Sequence, residues 1–288
     1  MEAGVELEYR VLGRTGERIA VIGLGTWSIG GGMTPSYSAD KQAIEAIRYA
    51  VRLGMNHIDT AEIYGGGHAE ELVGEAIKEF KRDDVFIASK VWHTNLRYND
   101  VLRACERSLK RLQTSYIDLY YIHWPNPSIP LRETMRALER LHDEGKIRYI
   151  GVSNFSASLV EEARSYLSHA DIVADQVEYS LYERSIERDL MPYCLREGIT
   201  IVAYSPLGQG RLARELREGR SRRVRILMDV AERYSRTPIQ VALNWVIWHE
   251  HVITIPKSVR REHLEENAGA AGWRLDENDY KLLAEAWG

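Results

Sequence analysis

Short apolar runs rich in β-branched residues alternate with amphipathic stretches eight times along the 288 residues, and this alternation most narrows the folds open to the chain. Strands are expected near 21–24, 56–58, 85–90, 117–122, 148–152, 172–176, 199–203 and 252–255. Helical patterns cover 40–53, 69–80, 98–112, 131–144, 156–167, 188–197, 221–249 and 259–270. Leu53-Gly54, Glu144-Gly145 and Glu197-Gly198 each set a glycine between a helical stretch and the next strand, where an αβ loop needs a helix stop. Wholly apolar strands separated by helices imply a parallel sheet covered on both faces. Eight such units imply an α/β fold of the (β/α)8 TIM-barrel type, with an open doubly wound sheet as the alternative. Residues 9–19 read as a β-hairpin closing the bottom of the barrel, and 276–287 as one of the extra helices near the C-terminus. No linker-like stretch interrupts the pattern, so one domain over 1–288 is expected.

A barrel places its chemistry on the loops that follow the strands. Asp59 directly follows a short strand, with Tyr64 five residues on; Lys90 ends the next strand, and His123 and Trp124 close the one after. A carboxylate, a phenol, an ammonium and an imidazole thus share one rim. A free tyrosine titrates near pH ~10, too high for an efficient proton donor. A nearby ammonium lowers that value, and a carboxylate keeps the ammonium charged. The set therefore reads as Tyr64 acting as general acid on a carbonyl, tuned by Lys90 and Asp59, with His123 binding the same oxygen. Taken singly, each residue also has a plainer reading as a solvated strand end, a helix cap or a rim histidine. Four together at strand ends outweigh that.

The formal net charge of −4 carries no block of like charge, so nothing favours nucleic acid or an anionic membrane. The densest basic run, 220–225, reads as a solvated helix start. Cys105 and Cys194 are the only cysteines and lack metal-ligand spacing, which suits reduced thiols. His249-Glu250-His251 has no third ligand nearby, so no metal is expected. With no signal-peptide pattern and no long apolar stretch, a cytoplasmic location is expected.

The chain resembles the aldo-keto reductases, of the prokaryotic type with a short C-terminal loop. The likeness runs from Gly23-Leu24-Gly25-Thr26-Trp27 through 54–64, 87–92 and 122–125 to Gly151-Val152-Ser153-Asn154-Phe155. It continues through Gln176 and Ala203-Tyr204-Ser205-Pro206-Leu207-Gly208 to Ile255-Pro256-Lys257-Ser258. The resemblance implies reversible NADPH-dependent reduction of aldehydes and ketones, with Asp59, Tyr64, Lys90 and His123 as the catalytic tetrad. A cofactor-binding, non-catalytic sensor or regulatory subunit on the same fold is the alternative. A metal-free isomerase using Lys90 as a Schiff base is a weaker one, because it leaves the Lys257-Ser258 segment unexplained.

The glycines at 23–32 do not make a dinucleotide fingerprint, since Ser28 stands where a third glycine belongs. By resemblance, Gly25, Thr26, Trp27 and Asp59 lie at the nicotinamide end, and Ser153, Asn154 and Gln176 bond its carboxamide. Tyr204 would stack on the ring, and Ser205, Leu207 and Gln209 would follow the pyrophosphate. Lys257, Ser258 and Arg260 precede a helix whose backbone donors favour a phosphate, which suits an adenosine 2′-phosphate. Glu266 and Asn267 match adenine contacts. His263 stands where many relatives have arginine, so NADPH is expected with NADH as a usable second cofactor. Trp27, Tyr64, Trp92, His123 and Trp124, with His93 and Tyr37 as further candidates, would line an apolar pocket for a small carbonyl substrate. The expected assembly is a monomer or weak oligomer.

Overall fold

The computed structural model describes residues 7–288. A two-stranded antiparallel hairpin, β1 (Tyr9–Val11) and β2 (Arg18–Ala20), precedes eight parallel strands. These are β3 (Leu24–Gly25), β4 (His57–Asp59), β5 (Phe86–Val91), β6 (Ile117–Ile122), β7 (Ile147–Ser153), β8 (Ile172–Glu178), β9 (Thr200–Tyr204) and β10 (Val252–Thr254). Each pairs with its neighbour in chain order. The last meets the first through a parallel bridge between Ile22 and Thr254, with Gly23 N–H donating to Thr254 O at 2.8 Å and Thr254 N–H to Val21 O at 2.9 Å. The sheet is thereby rolled into a barrel.

Helices α1 (Asp40–Arg52), α2 (His68–Ile77), α3 (Tyr98–Leu112), α4 (Leu131–Asp143), α5 (Ala157–Ser165) and α6 (Leu190–Glu197) connect successive strands. Each buries one stripe against the sheet; in α3 the stripe is Val101, Ala104, Cys105, Ser108, Leu109 and Leu112, a spacing of three and four. Cys105 is buried there, which pushes its thiol up to about 12, so it stays protonated and unreactive.

Between β9 and β10 the chain departs from expectation. Helix α7 (Arg211–Glu218) was not anticipated, and the run at 221–249 is two helices, α8 (Arg222–Arg233) and α9 (Pro238–Val246). The break has a local cause. Ser235 takes a left-handed φ of 53°, and Thr237 with Gln240 forms a capping box around Pro238 that starts a new helix. After β10 come α10 (Arg261–Ala268) and α11 (Glu277–Trp287), the latter capped by Asp276. Trp245 and Trp248 of the α9 region stack on Tyr280 of α11 at 5.2 and 4.3 Å, joining these helices to each other, and Trp245 also packs on Tyr179 just past β8 at 5.3 Å.

The hairpin covers the end of the barrel where the strands begin. Tyr9 donates to Gly54 O just before β4 at 2.9 Å, and Gly13 N–H to Thr200 Oγ1 at the start of β9 at 2.8 Å. One guanidinium nitrogen of Arg10 reaches the carbonyls of Ile247, His249 and Val252 at 2.7–2.8 Å. The opposite end, where the strands finish, is left open. Arg10→Met would strip those carbonyls of a charged donor and should lower unfolding stability by about 2–3 kcal/mol. Denaturant titration checks this, and an unchanged midpoint would show that the hairpin is held by its apolar residues alone.

Candidate active site

Along β4 and β5 side chains alternate between the barrel interior and the helices. Asp59 and Lys90 fall on the interior side at the open end, and both are buried. The Lys90 ammonium donates to Asp59 Oδ1 at 2.5 Å, to the Thr60 carbonyl at 2.8 Å and to the Tyr64 hydroxyl at 3.3 Å. An ammonium has three protons, and each has an acceptor. The other carboxylate oxygen of Asp59 accepts from Gln176 Nε2 at 2.7 Å. Burial presses Lys90 toward neutrality, but Asp59 and Tyr64 outweigh it and hold the pKa above the ordinary lysine value.

Tyr64 follows on a turn that only glycine suits. Gly65 and Gly67 take φ of 59° and 103°, and a Cβ on Gly65 would sit 2.5 Å from the Gly30 carbonyl oxygen. The phenol is thereby folded back over Lys90, with Trp27 edge-on at 5.0 Å and His123 edge-on at 5.5 Å. One expectation is overturned here. Lys90 does pull the phenol's pKa down, but burial is the larger influence and leaves it above the ordinary tyrosine value. The phenol is therefore protonated near neutral pH.

His123 directly follows β6 and is nearly buried, with Trp92 edge-on at 5.1 Å. Burial first, then Lys90 and His93, push its pKa down to about 2, so the ring is neutral. Its Nδ1 is buried without a partner among the described residues. Around this group the mouth is aromatic and open: Trp27, Tyr37 and Trp124 are 48, 65 and 43% exposed, and Met33 is 52% exposed. Tyr37 also lies 4.4 Å from His68, which places it beside the Tyr64 turn rather than over His123.

The proposed carboxamide contacts already form a network. Ser153 Oγ donates to Gln176 O at 2.8 Å, Asn154 Nδ2 to Ser153 Oγ at 2.9 Å, and the Tyr204 hydroxyl to Asn154 Oδ1 at 2.9 Å. Asn154, Ser205 and Gln209 all take left-handed φ, so the loops after β7 and β9 are sharply turned toward the rim. Thr26 Oγ1 is buried at the same rim without a partner.

On the far side, Ser258 Oγ accepts the Arg260 N–H at 3.1 Å, and Arg260 then caps α10. Lys257, Arg260 and His263 are exposed, Glu266 is half-buried and Asn267 is nearly buried. Among the described residues neither Lys257 nor Arg260 has an ion pair, although Arg261 beside them binds Glu265 at 3.0 Å and lies over Tyr49. An orphaned hydroxyl at one end and unpaired cations at a helix start at the other fit a dinucleotide phosphate laid across the rim.

Three contributors escaped the sequence reading: the Thr60 carbonyl, Glu62 and Tyr121. Glu62 accepts the Trp92 N–H, and Tyr121 is buried with Lys90 Nζ 6.0 Å from its ring centre. A carboxylate set in the apolar stretch between Asp59 and Tyr64 was the one available signal. Among the described residues no group of three or more His, Cys, Asp and Glu is placed to hold a metal ion, and no helix is long and apolar enough to cross a membrane.

The neutral histidines carry a pH consequence. Burial lowers His57 to about 4, as it lowers His123 to about 2. Unfolded imidazoles take up protons near pH ~6.5, so below that the unfolded chain binds protons that the native state refuses. Stability contributed by these two groups therefore falls as pH drops from about 6.5 toward 4. His68 acts oppositely: burial lowers it, but bonds to Glu71 and Asp40 outweigh this and raise it, so its contribution is lost as pH rises. Burial also holds the Asp175 carboxyl well above the ordinary carboxylate range, which adds stability as pH falls. The histidine contribution is therefore read as a difference: from pH 7 to pH 5 the urea midpoint of His57→Phe should fall less, or rise more, than that of the wild type, and the same change in both would contradict a neutral His57.

Known proteins share this sequence pattern and this fold. A sequence model of the aldo/keto reductase family matches residues 21–287. The methylglyoxal reductase YeaE of Escherichia coli is 37% identical over 269 residues, covering 93% of this chain and 91% of that protein. The crystal structure of the thermostable aldo-keto reductase Tm1743 in complex with the inhibitor epalrestat superposes with a TM-score of 0.91 at 49% identity, covering 97% of this chain and all of that one. An aldo-keto reductase from Klebsiella pneumoniae in complex with NADPH gives a TM-score of 0.87 at 37% identity, over 98% of this chain and 95% of that one. The chain belongs to the aldo/keto reductase family.

Proposed function

We propose that this protein reduces small aldehydes and ketones to alcohols with NADPH, Tyr64 giving the proton to the carbonyl oxygen. The observation that carries the reading is the buried Lys90 ammonium, held by Asp59 at 2.5 Å and donating to the Tyr64 hydroxyl at 3.3 Å. The names of the relatives, a methylglyoxal reductase and an NADPH complex among them, support the same chemistry. The bound nicotinamide supplies the hydride.

The remaining work belongs to the side chains. Burial keeps the proton on Tyr64 until an acceptor oxygen reaches it, and Lys90 then steadies the tyrosinate left behind. His123, neutral, has one ring N–H, and in the Nε2 tautomer it donates to the same carbonyl oxygen. Gln176 and Asp59 hold Lys90 in place. Ser153, Asn154 and Gln176 bind the carboxamide, Tyr204 backs the ring, and Ser205, Leu207 and Gln209 follow the pyrophosphate. Lys257, Ser258 and Arg260 receive the 2′-phosphate, with His263, Glu266 and Asn267 around the adenine. Trp27, Trp92 and Trp124 wall an open, permissive substrate mouth. Residues 1–288 act as one domain in the cytoplasm, as a monomer or weak oligomer, and NADH is a weaker substitute for NADPH.

Tyr64→Phe should cost about 10²–10⁴-fold in kcat and leave NADPH affinity nearly unchanged. Steady-state assays and nicotinamide fluorescence check this; a variant keeping half the activity would remove Tyr64 from the proton step. Arg260→Ala should weaken NADPH by about 2 kcal/mol and NADH much less, because a charged bond to phosphate is lost. His263→Arg should tighten NADPH selectively. Equal weakening of both cofactors by Arg260→Ala would put the 2′-phosphate elsewhere.

A further inference from the structure

Glu62 takes no part in the proton relay, yet its side chain is only 7% exposed and lies between the two loops that build the site. Its Oε1 accepts the Trp92 N–H at 2.6 Å and the Asn95 side-chain amide at 2.9 Å, while Oε2 faces Arg107 at 3.4 Å. The Glu62 N–H also donates to the Lys90 carbonyl at 3.3 Å. The segment leading to Tyr64 is therefore fastened twice to the segment that follows Lys90.

What this fastening controls follows from the neighbours. Among the described residues nothing hydrogen-bonds the His123 ring, so packing sets its angle, with Trp92 edge-on at 5.1 Å and Tyr64 edge-on at 5.5 Å. Trp92 hangs from the loop that Glu62 holds, and Tyr64 from the loop that carries Glu62 itself. A change in the spacing between those loops moves both contacts of the imidazole at once.

We infer that Glu62 is a positioning residue for carbonyl reduction, setting the spacing of Tyr64, His123 and Trp92 without touching substrate or cofactor. The inference rests on the reductase reading above and on Trp92 as a wall of the substrate mouth. It adds to that reading a residue that governs which carbonyls fit. A bulky carbonyl leans on the Trp92 wall more than a small one does, so loosening the wall should affect the two unequally.

The test uses Glu62→Ala, Glu62→Gln and Glu62→Asp, assayed with methylglyoxal and with benzaldehyde, alongside NADPH dissociation constants and melting temperatures. Glu62→Ala should lower kcat by about 10- to 100-fold, the size of effect that a small misplacement of catalytic groups produces. It should raise KM for benzaldehyde more than for methylglyoxal, and leave NADPH affinity within about twofold. Glu62→Gln keeps an acceptor for the Trp92 N–H and should recover most of the activity. Glu62→Asp, one methylene shorter, should show the same split more weakly, and it carries the test should the alanine variant not fold. A folded Glu62→Ala or Glu62→Asp with wild-type kcat and KM overturns the inference. So does a loss shared equally by both substrates and by NADPH binding, which would mark Glu62 as a general stability contact. Wild-type protein that reduces neither carbonyl would instead overturn the reductase reading itself.

Discussion

The ion pair between Lys90 and Asp59 is the interaction on which the site depends. Both groups are withdrawn from water, and such a pair repays its desolvation only when every remaining proton and lone pair is satisfied. Here that condition recruits the surroundings. The Thr60 carbonyl and the Tyr64 hydroxyl complete Lys90, and Gln176 completes Asp59. Three strands, β4, β5 and β8, together with the loop after β4, are thus committed to one ion pair. Removing either partner would leave an uncompensated buried ion, a loss of about 3–5 kcal/mol in comparable settings, so the barrel's geometry and its chemistry are set by the same contacts.

Charge is handled differently at the two ends of the rim. At the centre, cation and carboxylate neutralise each other inside the protein. Toward α10, Lys257 and Arg260 stand exposed and, among the described residues, without a carboxylate, although the neighbouring Arg261 is paired. Surface pairs of that kind contribute little stability, so leaving two cations unpaired costs the fold almost nothing. It does leave positive charge beside backbone donors at a helix start, which suits an anion.

Much of this was legible in the sequence because it is periodic or local. Wholly apolar strands, amphipathic spacing as in α3 and the glycine before each of β4, β7 and β9 gave the barrel, and strand ends gave Asp59, Lys90 and His123. The break between α8 and α9 was also written locally, as Thr237-Pro238-Ile239-Gln240, but the apolar periodicity on either side concealed it. Other features depend on distances that no spacing encodes. That burial outweighs Lys90 at the Tyr64 phenol follows from how deeply the glycine turn seats the ring. That Glu62 meets the Trp92 N–H follows from two loops meeting 30 residues apart in the chain.

The hairpin bears on how the molecule comes to be made. Arg10 is synthesised long before the carbonyls it grips, which lie 237 to 242 positions later. Closing so long a loop is entropically slow, and no earlier segment can stand in for those carbonyls. The floor of the barrel is therefore finished only once β10 has been synthesised and seated against β3. Until then the hairpin has only its contacts at Gly54 and Thr200 to hold it, and the incompletely covered strand ends expose the nascent chain to aggregation.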